Sequence, residues 1–189
     1  GALADGMKTA TGKFIAIFDA DFIPPRDILM NVIQYFTDRQ VGMVQVRWDH
    51  INRDASLLTK SQAIFLDGHF VIEHTARNRS GRFMHFNGTA GVWRRSTITD
   101  AGGWQHDTLT EDLDLSYRAW LRGWRVVYAD HIACPAEVPE RMADLKAQQR
   151  RWARGSTAVA RKLLGRIARA PVSLGAKVQS VLHLTHYAV

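Results

Sequence analysis

FIAIFDAD, residues 14–21, decides how this chain is read. Phe14, Ile15, Ala16, Ile17 and Phe18 form an unbroken apolar run that stops at two carboxylates, Asp19 and Asp21. Such a run predicts a strand buried on both faces of a parallel sheet. Ligands of open α/β sheets bind beyond the carboxyl ends of the strands, so the two Asp residues stand where a ligand would sit. Residues two apart on extended backbone project to one side. Like charges held together repel unless a cation lies between them, and oxygen ligands on a tight turn suit a hard ion, Mg²⁺ or Mn²⁺. Taken alone, the pair reads better as a solvated turn ahead of Pro24 and Pro25, because Asp-x-Asp is short and common.

Outward from this stretch the pattern is α/β. Gly1 to Thr11 is Ala-rich and predicts a helix that Gly12 ends. Pro25 suits a first helical position. Ile28, Leu29, Val32, Ile33 and Phe36 follow at helical spacing, so residues 25–38 predict an amphipathic helix, and Val41–Trp48 predicts the next strand. This β-α-β order suggests a Rossmann-like half. Ser56 can cap a long helix reaching about Arg77, with Leu57, Leu58, Ile64, Phe65, Val71 and Ile72 as its core candidates. His69 and His74 on that helix read as hydrogen-bonded structural residues, since no third ligand is placed with them. Arg125–Ala129 predicts a further strand, Cys134 to Pro139 a connection, and Arg141 to about Gly165 a basic helix.

The totals fit one domain with a proper core: 189 residues, 46% of them apolar. One cysteine, Cys134, excludes an intrachain disulfide and a cysteine-based zinc cluster. The chain starts without Met and in mid-pattern, as a segment of something longer would. Its net charge of +7 is uneven. Residues 141–189 carry ten Lys/Arg against one acid, Asp144, a net of +9 that leaves −2 for residues 1–140. A basic tail on a nearly neutral domain points to phosphate, nucleic acid or an anionic membrane surface, and the excess of Arg over Lys favours phosphate contact. The last apolar stretch, Val178–Val189, is shorter than the ~20 residues of a spanning helix. It reads as an amphipathic interfacial piece or as the opening of a longer segment.

Three further stretches carry candidate chemistry. In HFNGTAGVWRR, residues 85–95, the loop Asn87-Gly88-Thr89 allows close backbone approach to a ligand, and reads equally as a β-turn. In TLTEDLDLSYRAWLRGW, residues 108–124, Thr110 can cap a helix that Gly123 closes, and Glu111, Asp112 and Asp114 crowd its first turn. Acids there suit the helix dipole. Three in four residues exceed that need, and a helix start also holds a general base rigidly beside a site. In QQRRW, residues 148–152, Gln148, Arg151 and Trp152 share a helix face. Arg forks onto phosphate oxygens and an indole can stack on a pyranose, although a Trp on such a helix also commonly packs into the core.

FDADF, FNGTAGVWRR, TEDLDLSYRAWLRGW and Q-x-x-R-W, in this order, resemble the processive membrane glycosyltransferases of glycosyltransferase family 2, of the cellulose synthase, glucomannan synthase and bacterial β-glucan synthase kind. The resemblance implies a partial GT-A fold, Rossmann-like and nucleotide-sugar-binding, over residues 1–140. Residues 141–189 would be a basic, interfacial helical segment that carries Q-x-x-R-W toward the membrane. It implies Asp19 and Asp21 as ligands of Mg²⁺ or Mn²⁺, Asp112 as the general base, and Glu111, Gln148, Arg151, Trp152, Asn87, Gly88 and Thr89 as substrate-binding residues.

The implied reaction is inverting transfer of a hexose, from UDP-glucose or GDP-mannose, to a growing β-linked glycan. The implied setting is the cytoplasmic side of an inner or plasma membrane, with no nucleic-acid partner. The family's nucleotide-base strand and its spanning helices lie outside these 189 residues, so this piece alone is expected to transfer sugar poorly or not at all. Two other readings compete on the residues themselves: a metal-dependent nucleotidyl or phosphoryl transferase, and a non-catalytic membrane- or anion-binding module.

Overall fold

The computed structural model describes residues 1–188. Four strands form one mixed sheet: β1 (Phe14–Ile17), β2 (Val41–His50), β3 (Gly91–Arg94) and β4 (Arg125–Ala136). Their spatial order is β1-β3-β2-β4. β3 runs antiparallel to both β1 and β2, and β2 runs parallel to β4. The sequence reading of β1 as a doubly buried strand of a parallel sheet is therefore corrected. β3 inserts between β1 and β2, and among the described residues β1 pairs with nothing else. Its Ile17 is buried, Phe14 and Ile15 are half-buried and Ala16 is exposed. β1 and β2 share a direction, as the β-α-β order predicts, but β3 stands between them. The continuous apolar run that lies in the sheet's middle is Val41–Val46, buried throughout. β4 extends to Ala136, taking in residues read as a connection, because the parallel pairing with β2 resumes at Arg47↔Ala133 after a bulge.

Helices cover the sheet. The helix α1 (Ala2–Thr9) sets Leu3, Ala4 and Met7 against a core of Ile17, Met43, Trp93, Trp104 and Leu115. The helix α2 (Ile28–Ile33) is shorter than its periodicity predicts and continues as a 3₁₀ turn, Gln34–Thr37. It buries Ile28, Val32 and Phe36, four residues apart, and leaves Leu29 and Ile33 exposed. The helix α3 (Leu57–Asp67) starts at a Ser56–Thr59 capping box, as expected, then passes through a π-helical stretch, Gly68–His74, into α4 (Thr75–Arg79). Its core assignment is corrected. Leu57, Ile64, Phe65, Val71 and Ile72 are exposed and Leu58 only half-buried, whereas Thr59, Gln62, Ala63, Phe70 and His74 face inward. The inward stripe is polar because it secures chain rather than fills space: Gln62 donates to the Pro139 carbonyl at 2.8 Å.

The remaining helices build the C-terminal half. They are α5 (Arg95–Asp100), α6 (Glu111–Trp120), α7 (Met142–Arg169) and α8 (Leu174–Thr185), the last followed by a 3₁₀ turn, His186–Ala188. The basic helix α7 runs beyond its expected end at Gly165. It buries Gly155, Ser156, Val159, Ala160, Leu163 and Ile167 at three- and four-residue spacing. That stripe packs with Leu113 and Tyr117 of α6, Phe83 and Leu184 of α8 in one apolar cluster. No helix among the described residues is long and apolar enough to cross a membrane.

Candidate active site

Asp19 and Asp21 follow β1 directly, on an exposed turn. The Asp19 backbone N–H donates to the Thr89 hydroxyl at 2.8 Å, which ties this turn to the Asn87–Thr89 loop that precedes β3. In that loop Gly88 adopts φ +85°, a left-handed conformation that favours glycine. A Cβ there would also stand 3.2 Å from Oδ2 of Asp112. The loop thus touches the Asp-x-Asp turn on one side and the start of α6 on the other. Ser116 of α6 fixes the second contact. Its hydroxyl accepts the Phe86 N–H at 2.9 Å and donates to the Asp112 carbonyl at 2.6 Å.

The three acids of α6 separate into different roles. Asp114 is fully buried and paired with Arg118 at 2.8 Å and Lys162 of α7 at 2.9 Å. Asp112 is hemmed in by protein, with no cationic partner among the described residues. Burial pushes its carboxyl up to about 7, the Leu113 and Asp112 backbone N–H groups resist, and the neighbouring charges of Glu111 and Asp19 push it higher. Burial and the adjacent Asp21 likewise raise Asp19; Arg151 pulls it down and Glu111 pushes it up. These influences bring Asp19, Asp21, Glu111, Asp112 and Arg151 into one electrostatic neighbourhood, although they come from three separate stretches of chain.

A cavity of about 780 Å³ opens beside this cluster, with Asn87, Thr110, Asp112 and Trp152 in its wall. That is a usual size for a small-molecule site. Trp152 is half-buried in the cavity wall rather than sunk in the core, and Arg151 is exposed. Gln148 is half-buried on α7 and, like Glu111, lies outside the cavity lining. The far wall carries aromatic and imidazole rings: Trp48, Phe70, His69, His85 and His183. His69 and His74 do form structural hydrogen bonds. His69 pairs with Glu73 at 2.9 Å, and the Asn87 side-chain amide donates to His74 Nε2 at 2.8 Å. Burial holds His74, His85 and His183 well below the usual imidazole value, so these three rings are uncharged at neutral pH.

Among the described residues no three His, Cys, Asp or Glu side chains converge to hold a metal by themselves. Asp19 and Asp21 nevertheless fit a hard divalent cation. They are oxygen donors that repel each other, a repulsion that Arg151 offsets only in part, and such ions are commonly bound by one or two carboxylates plus a substrate's phosphates.

Two residues that build this site were missed in the sequence. Gly155 packs so closely on Thr110 that a Cβ would overlap the threonine side chain; it locks α7 against the first turn of α6. Gln45 is fully buried in the middle of β2 and bonded to the Asn87–Ala90 backbone. A lone amide inside the apolar run Val41–Val46 is the signal that could have flagged it, because a buried polar group must find partners.

Comparison with known proteins gives the family and the fold. The sequence profile described as glycosyltransferase like family 2 matches residues 1–155. The chain is 40% identical, over 190 aligned residues, to the probable glucomannan 4-beta-mannosyltransferase 4 of Oryza sativa subsp. japonica, covering 98% of this chain and 34% of that protein. It is 40% identical over 173 residues to glucomannan 4-beta-mannosyltransferase 7 of Arabidopsis thaliana, covering 89% and 31%. The chain thus spans about a third of the length of these relatives. Its fold matches that of the mannosyltransferase PcManGT from Pyrobaculum calidifontis, solved in complex with GDP-Man and Mn²⁺, with a TM-score of 0.68 at 22% identity over 98% of this chain and 48% of that one. The fold is of the GT-A type, and the chain belongs to the glycosyltransferase-like family 2.

Proposed function

We propose that this chain carries the catalytic site of an inverting hexosyltransferase that extends a β-linked glycan from a nucleotide sugar, with GDP-mannose the preferred donor. The observation that carries this reading is the shared neighbourhood of Asp19, Asp21, Asp112 and Arg151 beside a cavity walled by Trp152. The 4-beta-mannosyltransferase relatives favour mannose over glucose.

Each residue type suits a need of the reaction. Displacement at an anomeric carbon requires a base for the attacking hydroxyl. Asp112, poised near neutral pH and without a cation to hold it ionised, takes that proton as the new bond forms. A diphosphate leaving group requires its developing charge to be met; Arg151 presents a guanidinium fork to it. Asp19 and Asp21 would hold Mg²⁺ or Mn²⁺, which supplies further charge neutralisation to the diphosphate when bound. Trp152 offers an indole face to the acceptor sugar, and Asn87–Thr89 closes the site between the two Asp-bearing elements. Gln148 and Glu111 flank the donor diphosphate on α7 and α6. One displacement inverts the centre, so an α-linked donor yields a β-linkage.

The basic surface of α7 and the exposed Leu174, Val178, Val181 and Leu182 of α8 suit the cytoplasmic face of an anionic membrane. Product analysis of the native protein with a panel of labelled nucleotide sugars and Mn²⁺ tests the reading. A β-linked mannan is expected. Incorporation from no donor in the panel would reject it.

A further inference from the structure

Gln45 stands at full burial in β2, paired across the sheet with Gly91 of β3 and Tyr128 of β4. Its side chain is saturated. Nε2 donates to the carbonyls of Val46 at 2.9 Å, Thr89 at 3.1 Å and Ala90 at 2.9 Å, and Oε1 accepts the Asn87 N–H at 3.0 Å. One amide therefore meets three backbone positions of this loop, Asn87, Thr89 and Ala90, beside the Val46 N–H that also reaches the Ala90 carbonyl. Gly88 and Ala90 both sit at positive φ, and for Ala90, at +53°, that conformation is strained. What the loop carries makes this more than local packing. The Thr89 hydroxyl accepts the Asp19 N–H, and Gly88 is set against the Asp112 carboxylate.

We infer that Gln45 is a positioning residue for sugar transfer: by clamping Asn87–Ala90 it fixes, through Thr89 and Gly88, the spacing between the Asp19–Asp21 turn and Asp112. Gln45 touches neither carboxylate. Its role is to place a wedge between them, so that a cation and diphosphate held at Asp19 and Asp21 lie at a constant distance from the base. The inference rests on the hexosyltransferase reading.

The test is Gln45→Met in the native protein. Methionine keeps the length and the burial and removes every side-chain hydrogen bond; the Thr89 carbonyl and the Asn87 N–H lose their Gln45 partner, which loosens the loop, while the Ala90 carbonyl keeps the Val46 N–H. Three quantities are read: the melting temperature, the half-saturation of Mn²⁺ in the presence of nucleoside diphosphate (by electron paramagnetic resonance of free Mn²⁺, without turnover), and kcat of the folded fraction. The expected result is a tenfold or greater fall in kcat with at least a threefold rise in Mn²⁺ half-saturation. A lower melting temperature with both other quantities unchanged overturns the role and leaves Gln45 a packing residue. Should Gln45→Met not fold, Thr89→Val removes only the acceptor for the Asp19 N–H. It is expected to weaken Mn²⁺ binding likewise, and unchanged binding overturns the relay. Native protein that neither binds Mn²⁺ with nucleoside diphosphate nor transfers sugar overturns the function reading and this role with it. Native activity beside an indistinguishable variant overturns this role alone.

Discussion

Asp112 and Asp114 lie two residues apart in the first turn of one helix, and the structure treats them in opposite ways. Asp114 has two cations within 3 Å and no exposure. Asp112 has Glu111 and Asp19 as its charged neighbours, and its carboxyl sits near 7. The same side chain is a rivet joining α6 to α7 in one case and, in the proposed function, a proton acceptor in the other. The backbone and the helix dipole hardly differ between the two positions. What differs is the charge brought by distant chain: Lys162 from α7 to one, the turn after β1 to the other. A carboxylate in a helix start is thus assigned by its partners.

The sharpest way to break this contrast is to neutralise each acid in turn. Asp112→Asn should lower turnover by ~10²–10⁴-fold, the usual worth of a positioned base, and leave nucleotide binding in place. It should also stabilise the fold above pH 7. A carboxyl raised in the folded state destabilises that state as pH climbs from the unfolded value to the folded one, so removing it restores no more than about 4 kcal/mol, readable by denaturant melts at pH 8. That gain should vanish below pH 4. Asp114→Asn should do the reverse. Arg118 would be left buried without its anion while Lys162 keeps Asp107, a loss of ~3–5 kcal/mol, and kcat per folded molecule stays at the native value.

Smaller effects sharpen the picture. Gly155→Ala drives a methyl into Thr110 and should cost ~1–3 kcal/mol of stability. Because it wedges α7 away from α6, it should also raise the KM for acceptor, measured with soluble oligosaccharides. The pH profile gives the mildest test. A base that must be ionised makes kcat/KM fall about tenfold per unit as pH drops below about 7, and rise to a plateau above. In Asp112→Asn the residual rate should lose that limb.

Much of the site was legible because its chemistry is concentrated in short stretches. FDAD, NGT, TED and Q-x-x-R-W stand at strand ends and near helix starts; of their residues Asn87, Thr110, Asp112 and Trp152 reach the cavity wall, and Gln148 and Glu111 do not. The strand order was not legible. Periodicity reports which residues are apolar, and it cannot say that β3 slips between β1 and β2, which is settled by pairing across more than seventy residues of chain. The helix α3 failed for a related reason. Leu57, Ile64, Phe65 and Ile72 do mark an apolar face, but Gln62, Phe70 and His74 are the residues that are buried. Gln45 and Gly155 escaped because neither reacts with anything; each works by its contact with a loop or helix distant in sequence.

The central claim is that three distant stretches meet around one donor, and Trp152 reports on it directly. With 5-fluorotryptophan in the six Trp positions, fluorine NMR distinguishes Trp152 from Trp124, which lies past the opposite end of α6 from Asp112. Addition of Mn²⁺ with nucleoside diphosphate should broaden the Trp152 resonance strongly and spare Trp124, and Asp19→Asn combined with Asp21→Asn should abolish the effect. Saturating Mn²⁺ that leaves Trp152 sharp, or that broadens it equally in the double variant, would contradict the account.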